Sequence, residues 1–269
     1  MNKRDHLQAL READAYMEKV KDEVQKHPWR QDYHYSPTVG WINDPCGLVQ
    51  IDGYYHMLCQ HYPFSGAWGM MYLSHARSKD LVHWEQIGHG IHRPDQLDYK
   101  NCETSEGLWA PSIRYHNGTF YIINTFVSKG READRDNYII TAKNPAGPWS
   151  DPVFVEGADG IDSSLFFDDD GSVWYVGNFI SSECLYEGHH GIYLNELDPV
   201  TLQFKGERRI IWDGKKTYSR WIEAPHIYKK TAGITCWLQK AVPLSTTVCR
   251  WPAAVPLTGI TRYAPEIPL

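Results

Sequence analysis

The sequence has no long apolar run, no excess of basic residues and no closely spaced pair of cysteines. Its apolar stretches extend over a handful of residues, whereas a membrane-spanning helix needs about 20, so we expect no membrane partner. Lys and Arg number 27 against 33 for Asp and Glu, and this net charge of −6 argues against a nucleic-acid partner. The six scattered cysteines form no CxxC pair, which predicts neither a zinc site nor a disulfide framework.

Aromatic side chains are abundant in the 269 residues, with 17 Tyr, 11 Trp and 8 Phe. Rings with polar edges suit a twisted sheet and also stack on sugars, and composition alone does not separate these two uses. The chain does not open with a charged segment followed by an apolar one, so the sequence predicts a cytoplasmic product without a signal peptide.

Residues 1–28 predict one amphipathic helix, to which we assign no chemistry. Its apolar positions recur at steps of three, four and seven residues, with charged residues between them. These positions are Leu7, Leu10, Met17, Val20 and Val24. The helix is expected to end at His27, because the proline that follows disfavours helical backbone in the preceding residue.

A repeated unit begins after Trp41, where apolar residues alternate with polar ones as in strands. Four segments share an apolar strand, a polar turn ending in glycine, and an aromatic-rich strand. The turn glycines are Gly53, Gly118, Gly171 and Gly233, spaced by 65, 53 and 62 residues. Each interval has room for four short strands, and such repetition is typical of a β-propeller, with a β-sandwich as the alternative. Further strands are predicted at 71–77, 83–87, 138–142, 152–155, 192–197 and 209–212.

Carboxylates recur at one position of this repeat. Asp44 and Asp162 each precede their turn glycine by nine residues and Glu223 precedes its own by ten, while the second repeat has Ala110 there. The first strand of each propeller blade lines the central channel, so matched positions should converge on one axial pocket. The sequence therefore predicts a cluster of three acidic side chains.

Such a cluster is electrostatically unfavourable, because like charges repel and each raises the pKa of the neighbouring carboxyl groups. A glycosidase needs this arrangement, since one carboxyl must donate a proton to the leaving oxygen while another acts as base or nucleophile. A Ca²⁺ site is an alternative, because oxygen ligands in a channel also suit that ion. Any single aspartate could instead serve only a turn or strand-end hydrogen bond.

The first part of the chain, from about residue 5 to 90, resembles glycoside hydrolase family 32, the invertases and sucrose-6-phosphate hydrolases. The matching motifs are YHYSPTVGWINDP at 33–45, YHMLCQ at 55–60, WG at 68–69 and SKDLVHW at 78–84. The resemblance implies that Asp44 is the nucleophile. It also implies a sugar subsite lined by Trp41, Asn43, Gln60 and Trp68. Cys46 departs from the pattern, which usually has asparagine there.

Residues from about 88 to 230 resemble glycoside hydrolase family 43, the β-xylosidases and α-L-arabinofuranosidases. The matching motifs are RPDQL at 93–97, LWAPSIRYHNGTFY at 108–121, NPAGPW at 144–149, GIDSSLFFDDDG at 160–171 and EAPHIY at 223–228. This resemblance implies that Glu223 is the general acid and that Asp162 orients it and tunes its pKa. Asp44 then occupies the place of the general base, and Trp109 joins the expected substrate-binding residues.

Both families are five-bladed propellers, so the expected fold class is all-β of that type with a short N-terminal helix. The predicted catalytic domain at 33–232 holds three blades and the start of a fourth, which makes the propeller incomplete at its C-terminal end. Family 32 retains anomeric configuration and family 43 inverts it, which requires different separations of the two carboxylates. The resemblance therefore leaves the stereochemical outcome open.

Residues 233–269 form an atypical tail in which we find neither alternation nor suitable turns. Translation in the neighbouring frame permits a peptide containing Glu-Gly-Gly-Thr and His-Ser-Val, which reads like the continuation of a family 43 propeller. Our hypothesis is that a frameshift near Gly233 produced the tail. We accordingly expect poor packing after residue 232 and weak turnover by this chain.

The function expected from these observations is hydrolysis of terminal xylose or arabinofuranose from plant oligosaccharides, without a metal or other cofactor. A β-fructofuranosidase acting on sucrose or fructans is the alternative, because the first blade resembles family 32. Two further alternatives are an inactive sugar-binding hybrid and a recombination product without a selected role.

Overall fold

The computed structural model describes residues 3–252, except 101, 129–134, 216, 231–232 and 243–244. A helix, α1 (Lys3–Lys26), precedes a series of strands. The first strands are β1 (Trp41–Ile51), β2 (Tyr54–Tyr62), β3 (Tyr72–Ser78), β4 (Trp84–Gly88), β5 (Gly107–Leu108), β6 (Ser112–His116), β7 (Thr119–Val127), β8 (Arg135–Ala142) and β9 (Val153–Phe154). The others are β10 (Ser164–Phe167), β11 (Val173–Ile180), β12 (His190–Leu197), β13 (Phe204–Trp212), β14 (Arg220–Lys230), β15 (Gly233–Val242) and β16 (Ser245–Pro252).

Helix α1 forms where the sequence predicts it and ends just before His27 and Pro28. Lys26 lies in its last turn, where a positive charge interacts favourably with the helix dipole. Ala13 is buried and Leu10 packs against the core of the first sheets. The apolar stripe of the helix is therefore its packing face.

The chain divides into two compact units, Met1–Val153 and Phe154–Leu269. In the first unit, β1 to β4 form one antiparallel sheet with the strands in chain order. The second sheet has the order β5-β7-β8-β9, and β6 also pairs with β7. Strands β5 and β6 are thus two parts of one first strand, which is interrupted at residues 109–111.

Alternating apolar side chains of these strands fill the core of the first unit. Leu58, Leu73, Ile122 and Ile140 are all at most 1% exposed and belong to one cluster. Burying each of them stabilises the fold by about 1.5–3 kcal/mol relative to leaving it exposed. Since each lies on a different strand, the core joins both sheets of this unit.

In the second unit, β10 to β13 form an antiparallel sheet in chain order, and β14, β15 and β16 form another. Its core includes Trp174 and Ile222 together with Ile234, Cys236 and Leu238 of β15, all at most 2% exposed. The expectation of poor packing after residue 232 is therefore wrong for residues 234–238, while the part of the predicted tail from residue 253 onward lies outside the described residues. Alternation continues to Leu238, because every second side chain of β15 faces the core.

The predicted turns are confirmed at three of the four turn glycines. Gly53, Gly118 and Gly171 connect β1 to β2, β6 to β7 and β10 to β11, with φ of +77°, +74° and +87°. Such backbone favours glycine because a side chain would be strained there. Gly233 is the first residue of β15.

The further strands predicted from the sequence correspond to β3, β4, β8, β9, β12 and β13. Five of them agree to within three residues at each end, whereas β13 begins earlier, at Phe204. Its first residues lie at the outer edge of the sheet and are largely exposed, so they lack the alternation that marks the other strands. Within the described residues, α1 is too polar to cross a bilayer.

Candidate active site

Asp44 and Glu223 both lie where the first strand of a sheet loses its regular register. On β1 the pairing with β2 shifts between Asn43 and Pro45, and Asp44 itself has φ of +34°. On β14 the pairing with β15 shifts after Glu223, and the next residue, Ala224, has φ of +48°. Irregularities of this kind turn a side chain away from the regular sheet surface, and they are frequent beside active sites.

The equivalent positions of the other two sheets are irregular as well. Asp162 has φ of +54° and lies two residues before β10 begins. In the second sheet, Ala110 lies in the gap between β5 and β6. The position that the sequence repeat marks is therefore a backbone kink in all four sheets, and three of the four kinks carry a carboxylate.

The carboxylate of Asp44 is held by its neighbours while remaining exposed to solvent. The side-chain amide of Asn43 donates a hydrogen bond to Asp44 Oδ2 at 2.8 Å. The thiol of Cys46 lies 2.7 Å from the backbone oxygen of Asp44. Partial loss of water around the carboxylate raises its pKa above the ordinary value, and a backbone hydrogen bond offsets part of that effect. A raised pKa makes this carboxylate a stronger base once it is ionised.

Gln60, on β2, fixes the position of Asn43. Its side-chain oxygen accepts a hydrogen bond from Asn43 Nδ2 at 3.2 Å, and its Nε2 donates to Leu108 O at 3.1 Å. Gln60 is only 5% exposed, so both bonds are shielded from water. One buried amide therefore links the strand that carries Asp44 to the residue that precedes Trp109.

Three indole rings surround the same part of the first unit. Trp41 and Trp68 make an edge-to-face contact with ring centroids 4.8 Å apart. Ser105 joins the other pair, because its hydroxyl accepts from Trp68 Nε1 at 2.5 Å and its backbone oxygen accepts from Trp109 Nε1 at 3.0 Å. Trp68 is 48% exposed and offers an aromatic surface to a ligand. The predicted residues Trp41, Asn43, Asp44, Gln60, Trp68 and Trp109 thus form one connected group.

In the second unit, Asn178 connects the two segments that carry Asp162 and Glu223. Its Oδ1 accepts from the backbone N–H of Ile161 at 2.7 Å, and its Nδ2 donates to Ile222 O at 3.2 Å. Each of these partners directly precedes one carboxylate residue. Asn178 lies on β11, is 2% exposed, and also contacts the backbone at Gly160.

Asn178 therefore links the backbone segments on which Asp162 and Glu223 lie, and both of these residues are half-buried. Asp44 belongs to the group in the first unit, and the single pocket predicted for all three carboxylates stays a prediction. Sequence reasoning missed Asn178 and Ser105. A weak signal for the first exists, because Gln60 and Asn178 each follow their turn glycine by seven residues and Asn124 follows its own by six.

Asn124 repeats the same role in the second sheet. Its Nδ2 donates to Trp109 O at 2.6 Å, and the hydroxyl of Tyr138 lies 3.3 Å from its Oδ1. A buried amide on the second strand of a sheet thus supports the kinked first strand in all three cases.

Comparison with known proteins places these residues in a family. The profile of glycosyl hydrolases family 43 matches residues 37–241. A xylosidase/arabinosidase of Butyrivibrio fibrisolvens is 40% identical over 194 residues, which are 71% of this chain and 35% of that protein. A sucrose-6-phosphate hydrolase of Zymomonas mobilis is 43% identical over 74 residues, which are 28% of this chain and 14% of that protein.

A xylan beta-1,4-xylosidase from Bacillus halodurans C-125 has a similar solved structure, with a TM-score of 0.70 and 30% identity over 88% of this chain and 44% of that one. This similarity confirms the predicted fold class, all-β of the five-bladed propeller type with a short N-terminal helix. The chain spans about a third of the length of the xylosidase/arabinosidase it matches. Because the family profile covers well over half of its residues, the chain belongs to glycosyl hydrolase family 43.

Proposed function

We propose that this protein is a glycosidase that releases terminal xylose or arabinofuranose from oligosaccharides. The observation that carries the proposal is the recurrence of a carboxylate at a backbone kink in three sheets, at positions that the family profile covers. The relative from Butyrivibrio fibrisolvens is named for both pentose activities, which supports this substrate class.

In the proposed reaction, Glu223 is protonated and gives its proton to the glycosidic oxygen as the bond to the anomeric carbon breaks. Asp44 is ionised and takes a proton from the water molecule that attacks that carbon. The raised pKa of Asp44 strengthens it as a base. Asp162 remains ionised near Glu223, and its negative charge keeps the pKa of the acid high enough for protonation before the reaction.

The aromatic group of the first unit supplies the proposed binding surface for the cleaved sugar. Trp41, Trp68 and Trp109 offer ring faces, and Asn43 and Gln60 offer amides beside the carboxylate of Asp44. Sugars have apolar C–H faces and polar edges, and this mixture of rings and amides suits both.

The test is hydrolysis of nitrophenyl β-xyloside and α-L-arabinofuranoside by the 269-residue chain, with Glu223→Gln, Asp44→Asn and Asp162→Asn as variants. We expect pentose release that each variant lowers by at least about 100-fold, with Asn195→Ala as a buried-amide control that lowers it far less. NMR of the first-formed anomer distinguishes an inverting reaction from one in which Asp44 is the nucleophile. The proposal fails if the chain cleaves neither pentoside.

A β-fructofuranosidase is the second candidate, favoured by the match to a sucrose-6-phosphate hydrolase over 74 residues. Sucrose is therefore included in the same assay. Release of fructose without release of pentose from the nitrophenyl substrates would favour this candidate. A sugar that raises the unfolding temperature but is never cleaved would instead indicate a binding protein.

A further inference from the structure

Two loops of the second unit lie at the same end of their sheet as the candidate acid. Strand β10 leads away from Asp162, and β11 returns antiparallel to it, so residues 181–189 follow β11 at the end where β10 begins. Strand β12 runs away again and β13 returns, so residues 213–215 and 217–219 lie at that end too. The second loop then leads directly into β14 and Glu223.

Hydrogen bonds hold these loops against each other. The hydroxyl of Tyr186 lies 3.1 Å from Gly214 O and 2.9 Å from Ser219 O. His189, which is 1% exposed, donates from Nε2 to Asp213 O at 2.6 Å and accepts from Leu185 N at its Nδ1. Because the bonds of Tyr186 and the bond from His189 to Asp213 cross from one loop to the other, the loops form one braced wall. We call it the loop wall, residues 181–189 with 213–215 and 217–219.

The loop wall is also attached to the segment that carries Glu223. The backbone N–H of Trp221 donates to Gly188 O at 2.8 Å. The ring of Trp221 covers Gly188 so closely that a Cβ there would lie 2.8 Å from the indole, so a larger residue would displace it. Movement of the loop wall would therefore move the strand on which Glu223 lies.

Large apolar side chains project from the loop wall and its edge into solvent. Tyr218 is 71% exposed, Leu185 is 58% exposed, and Ile180, at the end of β11, is 64% exposed. The ring of Tyr218 is supported on one side by Tyr186, with centroids 5.5 Å apart. Exposed aromatic and apolar side chains on loops beside a candidate site are typical of a surface that binds a ligand.

We propose that Tyr218 is the stacking surface for the part of an oligosaccharide on the leaving-group side of the scissile bond. The inference rests on the proposed glycosidase function and adds to it the residue that selects oligosaccharides over short glycosides. Glu223 protonates the oxygen of that leaving group, so the leaving sugar must lie beside the strand that carries Glu223. Tyr218 lies five residues before Glu223, on the braced loop that leads into it.

Charged groups around the loop wall suit the hydroxyls of such a sugar. Lys215 pairs with Glu183 at 2.8 Å, and both side chains are largely exposed. Arg220 and Glu187 lie 4.0 Å apart on the same side of the unit. An aromatic ring and polar groups on the same loops suit a pyranose, whose C–H face packs on a ring while its hydroxyls point outward.

The test compares two xylosides that differ in the leaving group, xylotriose and β-D-xylosyl azide, since the azide has no ring to stack. We expect Tyr218→Ala to lower kcat/KM for xylotriose about fivefold to tenfold and to change the value for xylosyl azide by less than about twofold. Tyr218→Phe should keep xylotriose hydrolysis, because it retains the ring. Tyr228→Ala, at a half-exposed tyrosine of β14, is the control and should leave hydrolysis of both substrates unaffected.

Equal losses on both substrates, or no loss on xylotriose, would overturn the inference while leaving the glycosidase proposal intact. If turnover is too slow to measure, a binding assay tests the same inference. Tryptophan fluorescence of Glu223→Gln should show xylotriose binding that Tyr218→Ala weakens by a similar factor and that Tyr228→Ala does not. Equal xylotriose affinity of Glu223→Gln and of Glu223→Gln combined with Tyr218→Ala would also overturn the inference. If the parent chain neither binds nor cleaves any xyloside, the proposed function itself fails, and the inference with it.

Discussion

Replacing Asn178 by alanine removes both hydrogen bonds that link the segments of Asp162 and Glu223. Each bond contributes about 1 kcal/mol net, and the carbonyl of buried Ile222 would lose its partner, which costs about 1–3 kcal/mol more. We therefore expect the free energy of unfolding to fall by about 3–5 kcal/mol. Since the two carboxylates also lose their shared support, kcat should fall about 10- to 100-fold.

Urea unfolding and pH–rate profiles with nitrophenyl xyloside measure these effects. Asn195→Ala is the control, because it removes a buried amide of the same size from neighbouring β12. Asn178→Asp keeps the acceptor for Ile161 but adds negative charge, which should raise the pKa of Glu223 and move the basic limb of the profile to higher pH. If Asn178→Ala matches Asn195→Ala in both stability and pH profile, Asn178 has only a structural role.

Three further predictions concern the first unit. Burial lowers the pKa of His61 to about 4 in the folded chain. Between pH 6.5 and 4, the unfolded chain therefore binds a proton at His61 that the folded chain does not bind. The free energy of unfolding should therefore fall by about 3 kcal/mol as pH decreases from 6.5 to 4, and urea titrations of His61→Gln should show a smaller fall. Gly118→Ala should lower the free energy of unfolding by about 1 kcal/mol, because alanine is strained at φ of +74°. The control is Gly66→Ala, in open space without positive φ, which should change it by less than about 0.5 kcal/mol. Equal changes in the two variants would refute the strain argument. Trp68→Phe loses the hydrogen bond to Ser105, so KM for the xyloside should rise about threefold with little change in kcat, and a change in kcat alone would contradict a binding role.

Most of the fold could be predicted from the sequence because its signals are local. Alternation and turn glycines mark strands independently of distant contacts, and Gly53, Gly118 and Gly171 all have the positive φ expected of them. The prediction failed at β15, where Thr235 and Trp237 separate the core residues Ile234, Cys236 and Leu238. A buried cysteine and an exposed tryptophan obscure the alternation, and only packing against the neighbouring strands makes it visible.

The candidate site could be predicted only in part, for a related reason. Asp44, Asp162 and Glu223 stand out because the repeat marks their position, and the resemblance to families 32 and 43 adds the aromatic residues. Asn178 carries only a weak signal, its place seven residues after the turn glycine, because its partners at Ile161 and Ile222 lie 17 and 44 residues away and are backbone groups. A side chain that binds a backbone group does not require a particular residue type in its partner. The sequence therefore contains no second residue that would reveal the contact.

The amides on the second strands have a consequence for how such a molecule can grow. Gln60 and Asn178 each reach from their own sheet to the first strand of the sheet that follows, at Leu108 and Ile222. A duplicated copy of one sheet would therefore already contain the side chain that binds it to the next sheet in the chain. Because this side chain binds only a backbone carbonyl oxygen of the next sheet, the sequence of that sheet can diverge without loss of the hydrogen bond. New chemistry can then evolve on one repeat while the attachment between repeats is inherited unchanged.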